Sequence, residues 1–201
     1  MNLTSENQFI SETNGRSLSI KREDLLHPTV SGNKFRKLKY NLIQARGEGY
    51  DTLLTFGGAY SNHIAATAAA GQLEGFKTIG VIRGEELGVN LAKTLESNPT
   101  LAFAYESGMK FHFISRQEYR EKDEVRFRES ITKTFNNPFI IPEGGTNDLA
   151  IKGCEEILTE DDICFEYICC PIGTAGTISG IINSLKPHQK ALGFPALKGD
   201  W

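Results

Sequence analysis

The stretch Asp51-TLLTFGGAYSNHIAATAAAGQ-Leu73 decides the fold class. Asp51 to Phe56 reads as a strand, Gly57-Gly-Ala-Tyr60 as a tight turn, and Ser61 to Leu73 as an alanine-rich helix with Ile64, Ala65, Ala68 and Ala69 facing inward. Lys77 to Arg83 supplies the next strand, which completes a βαβ unit. The same alternation of short apolar runs and longer amphipathic segments extends in both directions. Upstream lie a strand near Leu18 to Lys21 and a helix from Asn33, carried by Phe35, Leu38, Leu42 and Ile43 and closed by Gly47 and Gly49. Downstream come a helix Leu101 to Ser107, a strand Lys110 to Ile114, a long charged helix from Arg116 to about Phe135 and a strand Phe139 to Ile141. A helix Leu149 to Leu158, a strand Tyr167 to Cys170, a loop Pro171 to Thr177, a helix Ile178 to Leu185 and a strand Lys190 to Phe194 follow. The fold class is α/β, with parallel strands joined by helices.

The composition narrows the function. Of 201 residues, 22 are basic and 25 acidic, and a net charge of -3 supplies no broad field for polyanions, so nucleic acid is not the expected partner. No apolar run approaches the roughly 18 residues that a spanning helix needs. The start, MNLTSENQFI, lacks the basic and apolar regions of a signal peptide, and the expected compartment is the cytoplasm. Cys154, Cys164, Cys169 and Cys170 show neither a C-x-x-C pair nor a nearby His, so no metal site is expected, and Cys169 and Cys170 read as buried free thiols.

Chemistry has three places to sit. In Ser31-Gly-Asn-Lys-Phe-Arg-Lys-Leu38, Lys34 stands at a loop-to-helix junction among other cations, which disfavour its charged form and make the amine a usable nucleophile or base. The alternative is a helix whose lysines only keep it soluble. In Gly57-Gly-Ala-Tyr-Ser-Asn-His63, glycines admit a ligand, Ser61 caps the helix and the helix start suits a carboxylate. Alternatively, Ser61 is only a cap and His63 faces solvent. In Gly173-Thr-Ala-Gly-Thr177, small hydroxyl-bearing residues at a helix start suit a phosphate, although tight packing alone also explains such a turn. Neither the spacing of a triphosphate loop nor that of a dinucleotide loop is present. Together, a lysine, a phosphate cradle and a carboxylate site are the parts required by pyridoxal phosphate acting on an amino acid.

Five motifs in order, Lys21-Arg-Glu-Asp24, Ser31 to Leu38, Gly57 to His63, Pro142-Glu-Gly-Gly-Thr-Asn147 and Gly173 to Thr177, make the chain resemble 1-aminocyclopropane-1-carboxylate deaminases and D-cysteine desulfhydrases. These belong to the tryptophan-synthase-β-like, fold type II pyridoxal phosphate enzymes. The resemblance covers nearly the whole chain. It implies two open parallel-sheet α/β domains: a larger cofactor domain from residues 1–44 and 146–201, and a smaller inserted domain of residues 45–145. Lys34 would carry pyridoxal 5'-phosphate as a Schiff base and shuttle protons. Asn62 would bond the cofactor's 3′-oxygen, and Gly173, Thr174, Ala175, Gly176 and Thr177 would bind its phosphate, with Lys37 a second phosphate contact. Ser61, as a catalytic group, would cluster with Asn62 and His63 around the substrate carboxylate. The products would be a 2-oxo acid and ammonia, from a homodimer. His63 stands where the ring-opening deaminases carry a glutamine, and Gly144-Gly-Thr-Asn147 is closer to the desulfhydrases, so the substrate leans away from a strict cyclopropane. The resemblance also implies a longer chain, with further strands and the partner of the pyridine nitrogen beyond Trp201. A catalytically empty scaffold is the competing reading, and a nucleotide-binding protein is disfavoured by the first βα turn.

Overall fold

The computed structural model describes residues 4–196. They divide into two compact units: a discontinuous one, up to Tyr40 and again from Thr146, and a continuous one, Asn41–Gly145.

The continuous unit is built on four parallel strands, β3 (Thr52–Gly58), β4 (Lys77–Arg83), β5 (Lys110–Ile114) and β6 (Phe139–Ile141), in the order β5-β4-β3-β6. Central strands β3 and β4 are buried along nearly their whole length, so they read as continuous apolar runs. One face of the sheet, with Leu54, Phe56, Ile79 and Val81, packs against Tyr119, Phe127 and Ile131. The other face, with Ile82 and Phe111, packs against Ile64, Ala68, Leu101 and Ala104. The helix α2 (Asn62–Glu74) leads from β3 to β4 on one side, and the chain later returns to β6 on the other side of β3. The strand order therefore reverses between β3 and β6, and a ligand site belongs at the carboxyl ends of those two strands.

The expected strands over 77–83, 110–114 and 139–141 form as read, whereas the strand expected from Asp51 to Phe56 runs Thr52–Gly58, since Gly57 and Gly58, expected in the turn, continue the pairing with Ile82 and Arg83. The long helix from Arg116 is not continuous. It divides into α5 (Arg116–Arg120), opened by a capping box between Ser115 and Glu118, and α6 (Val125–Thr134). The run Glu121-Lys-Asp-Glu124 holds no apolar residue to continue the buried stripe, and a turn there lets Tyr119 and Ile131 reach the same core. A further helix, α3 (Leu91–Ser97), precedes α4 (Pro99–Glu106), each capped by an asparagine side chain, Asn90 and Asn98.

In the discontinuous unit the expected strand near Leu18 is half of a hairpin, β1 (Asn7–Thr13) with β2 (Arg16–Lys21). Asn14 and Gly15, at φ 53° and 69°, form its two-residue turn. Parallel strands β7 (Tyr167–Ile172) and β8 (Lys190–Pro195) flank α8 (Gly176–Ser184), over a core of Cys154, Ile157, Cys170, Ile178 and Ile181. Successive strand residues face opposite ways, so Cys170 is buried as expected, whereas Cys169 is exposed. Cys169 lines a cleft of about 570 Å³ together with Leu18 and Ile20 of β2. Helix α7 (Asp148–Cys154) stops short of the expected Leu158, because the N–H groups of Glu156 and Ile157 turn to the carbonyls three residues back.

Helices α1 (Asn33–Gly47), α7 and α8 meet at backbone distance. A methyl group on Gly153 would overlap the Arg36 carbonyl oxygen, and one on Gly180 would overlap the Cys154 Cβ and stand 2.7 Å from the Ile151 carbonyl oxygen. In an open helix, Gly→Ala stabilises by up to about 1 kcal/mol. Gly153→Ala is expected to reverse that sign and destabilise by about 1–3 kcal/mol, read as a lower midpoint in urea unfolding.

Candidate functional site

Helix α1 begins just after Gly32, whose φ of 62° turns the chain into it. Its first residues meet the β7–α8 turn within the discontinuous unit. Asn33 Nδ2 donates to Thr177 Oγ1 at 2.7 Å, and Lys34 Nζ donates to Asn33 Oδ1 at 3.2 Å. One helical turn on, Lys37 is 2% exposed and donates to Thr146 Oγ1 at 2.9 Å and Thr174 Oγ1 at 3.3 Å. The two threonine hydroxyls lie 2.5 Å apart. Ala175, at φ 59°, holds the left-handed conformation that starts α8.

These surroundings disfavour charge on both amines. Burial lowers the Lys34 ammonium from its usual value. Burial, and then the neighbouring Lys34, brings Lys37 down to about 8. Burial also pushes the Cys154 thiol up to about 11 and raises that of Cys170, so the sulfurs beside the amines stay protonated at neutral pH.

Two groups that sequence reasoning passed over hold this arrangement. Arg36, 3% exposed, makes a two-pronged ion pair with Glu23 at 2.9 Å on each arm. Lys21 pairs with Asp162 at 2.8 Å. The motif Lys21-Arg-Glu-Asp24 therefore ties the end of β2 to α1 through Glu23 and to Asp162 through Lys21. Thr146 and Asn33 were also missed; each lies in a quoted motif, and a hydroxyl or amide beside a lysine was the available signal.

Of the site residues expected from sequence, Lys34, Lys37 and Gly173 to Thr177 come together here, while Ser61, Asn62 and His63 belong to the continuous unit. There Ser61 caps α2 by accepting from Ile64 N at 3.4 Å, and Asn62 is exposed. His63 does not face solvent: it is 1% exposed, with Nε2 2.8 Å from Thr55 Oγ1. A residue that follows an N-cap by two can turn its side chain under the helix, and the sheet provides the hydroxyl that accepts it there.

The donors around Lys37 fit a phosphate ester. The Lys37 ammonium and the hydroxyls of Thr146 and Thr174 meet beside the start of α8, a donor set that suits a dianion. Gly173 faces open space, whereas a methyl on Gly176 would press on Thr146 at 2.9 Å and Lys37 Nζ at 3.2 Å.

A site with this lysine and cradle on an α/β scaffold defines the class of enzymes that use pyridoxal phosphate. The chain belongs to the pyridoxal-phosphate dependent enzyme family, whose model matches residues 4–197. It is 34% identical over 181 residues to the mitochondrial bifunctional D-cysteine desulfhydrase/1-aminocyclopropane-1-carboxylate deaminase of Arabidopsis thaliana, covering 84% of this chain and 45% of that one. It is 28% identical over 194 residues to a D-cysteine desulfhydrase of Klebsiella pneumoniae, covering 92% and 58%. A crystal structure described as an ACC deaminase homologue superimposes with a TM-score of 0.72 at 28% identity, covering 90% of this chain and 56% of that one. O-ureido-L-serine synthase, at 14% identity and a TM-score of 0.68, shares the fold. The resemblance drawn from the five motifs is borne out. The chain spans about half the length of the curated relatives it matches. No helix among the described residues is long and apolar enough to cross a membrane.

Lys37 gives a pH test. Its folded pKa of about 8 lies below the unfolded value near 10.4, so between the two the unfolded chain holds more protons. The burial penalty is therefore present in full below about pH 8 and is relieved as pH rises toward about 10.4. In the ligand-free protein, Lys37→Met is expected to be more stable than the parent at pH 7 by up to about 3 kcal/mol, with the difference closing toward pH 10. Inorganic phosphate should raise the parent's melting temperature and leave that of Lys37→Met unchanged.

Proposed function

We propose that this chain carries the lysine and phosphate cradle of an enzyme that converts a small amino acid, of the D-cysteine or 1-aminocyclopropane-1-carboxylate type, into a 2-oxo acid and ammonia. The observation that supports it most directly is the convergence in one unit of two amines whose charged forms are disfavoured with a hydroxyl-lined helix start. Lys34 would hold the cofactor, and burial, which lowers its pKa from the usual value, shifts it toward the neutral amine that can take a proton. Lys37, Thr146, Gly173, Thr174, Ala175, Gly176 and Thr177 would hold the phosphate. When bound, pyridoxal phosphate supplies an electron-poor ring that takes up the electron pair released beside the amino group. Asn62 would reach the cofactor's 3′-oxygen, and Ser61 with the first turn of α2 would receive the substrate carboxylate, opposite charge meeting a helix start.

The lean toward a D-cysteine-type substrate rests on His63 and on Gly144-Gly-Thr-Asn147, and a cytoplasmic homodimer is the assembly we propose with it. The competing reading is a scaffold that binds without turnover.

Borohydride reduction of the protein with pyridoxal phosphate, followed by peptide mapping, should place the pyridoxyl label on Lys34. Lys34→Ala should abolish both the label and any ammonia or sulfide release from D-cysteine. A label on Lys37 instead would overturn the assignment, and a label on Lys34 without turnover would select the competing reading.

A further inference from the structure

We infer that His63 is a positioning residue, held as its Nε2–H tautomer by the Thr55 hydroxyl so that it fixes the β3–α2 turn bearing Ser61 and Asn62. The role rests on the proposed function, in which that turn receives a carboxylate; the tautomer does not.

Thr55 is fully buried on β3, the strand beside the reversal of the sheet. Its Oγ1 lies 2.9 Å from the carbonyl oxygen of Ile141, the last residue of β6, and 2.8 Å from His63 Nε2. A hydroxyl has one proton to give, and a carbonyl oxygen only accepts, so the Thr55 proton goes to Ile141. The oxygen then accepts from His63, and the ring hydrogen sits on Nε2. The other edge of the ring packs against Gly145, where φ is 68° and a methyl group would stand 2.8 Å from His63 Cε1. One imidazole thus joins β3, the end of β6 with the loop after it, and the first turn of α2. The ring is 1% exposed while the preceding Asn62 is exposed, so the histidine acts beneath the turn and the asparagine at its surface.

The first test needs neither cofactor nor substrate. Long-range ¹H–¹⁵N correlation spectra of the whole protein with labelled histidine should show His63 as the Nε2–H tautomer, and an Nδ1–H tautomer would overturn the inference. Thr55→Val should release the tautomer preference and Thr55→Ser should retain it; identical spectra from the two variants would also overturn it. With pyridoxal phosphate and D-cysteine, Thr55→Val should raise KM about five- to tenfold, the scale of one buried hydrogen bond. Its kcat should stay within about twofold of the parent, since the amines are untouched, and Thr55→Ser should restore KM. A fall in kcat at constant KM would refute a role in holding the carboxylate turn. If Lys34 takes no label, the proposed function fails while the tautomer measurement still stands.

Discussion

A protonated amine almost out of reach of water is the constraint on which the discontinuous unit depends. Lys37 cannot be buried at 2% exposure unless the protein replaces its hydration, and the hydroxyls of Thr146 and Thr174 do so. Those hydroxyls come from residues just ahead of α7 and α8. To bring both to one ammonium, the two helices must lie against α1 and each other with nothing between the backbones, which Gly153 and Gly180 permit. Ala175 accepts a left-handed φ of 59° at the start of α8, a conformation costing a non-glycine residue about 1–2 kcal/mol. Strain, close packing and a disfavoured charge converge on one point, the pattern expected where binding a ligand offsets what folding alone does not recover.

The continuous unit solves a different problem. A parallel sheet buried on both faces needs helices on both, and the connections that supply them reverse the strand order between β3 and β6. The two strands are paired as far as Thr55 and Ile141, and a side-chain tie is added at that end. The Thr55 hydroxyl and the His63 ring provide it inside the protein, which leaves the outer surface of the turn open for binding.

Most of this architecture was legible in the chain because buried parallel strands and glycine-punctuated helices have strong local signatures. The strands over 77–83, 110–114 and 139–141 coincide with their apolar runs. The departures have local causes. Asn14-Gly15 marks a hairpin that was passed over because β1 and β2 expose their apolar residues, Phe9, Ile10, Leu18 and Ile20, and so lack a buried face to reveal them. The helix from Arg116 broke where charge interrupted its stripe, and Cys169 turned outward by strand alternation alone. In the site, the lysines and both turns were readable as motifs. The pairing of Glu23 with Arg36, of Thr55 with His63 and of Lys37 with Thr146 was not, because these partners lie 13, 8 and 109 residues apart and only the fold joins them.

The contacts at Gly153 and Gly180 bear on how such a chain can change over time. Where two side chains meet, a larger one on one helix can be answered by a smaller one on its neighbour, and the pair drifts together. Gly153 faces a main-chain carbonyl of α1, and Gly180 faces a main-chain carbonyl of α7, neither of which can shrink. No second substitution compensates a first at these positions. Descendants of this sequence are free to alter the lining of the cleft and the identity of the substrate, while the spacing of the three helices that frame the two amines is inherited unchanged.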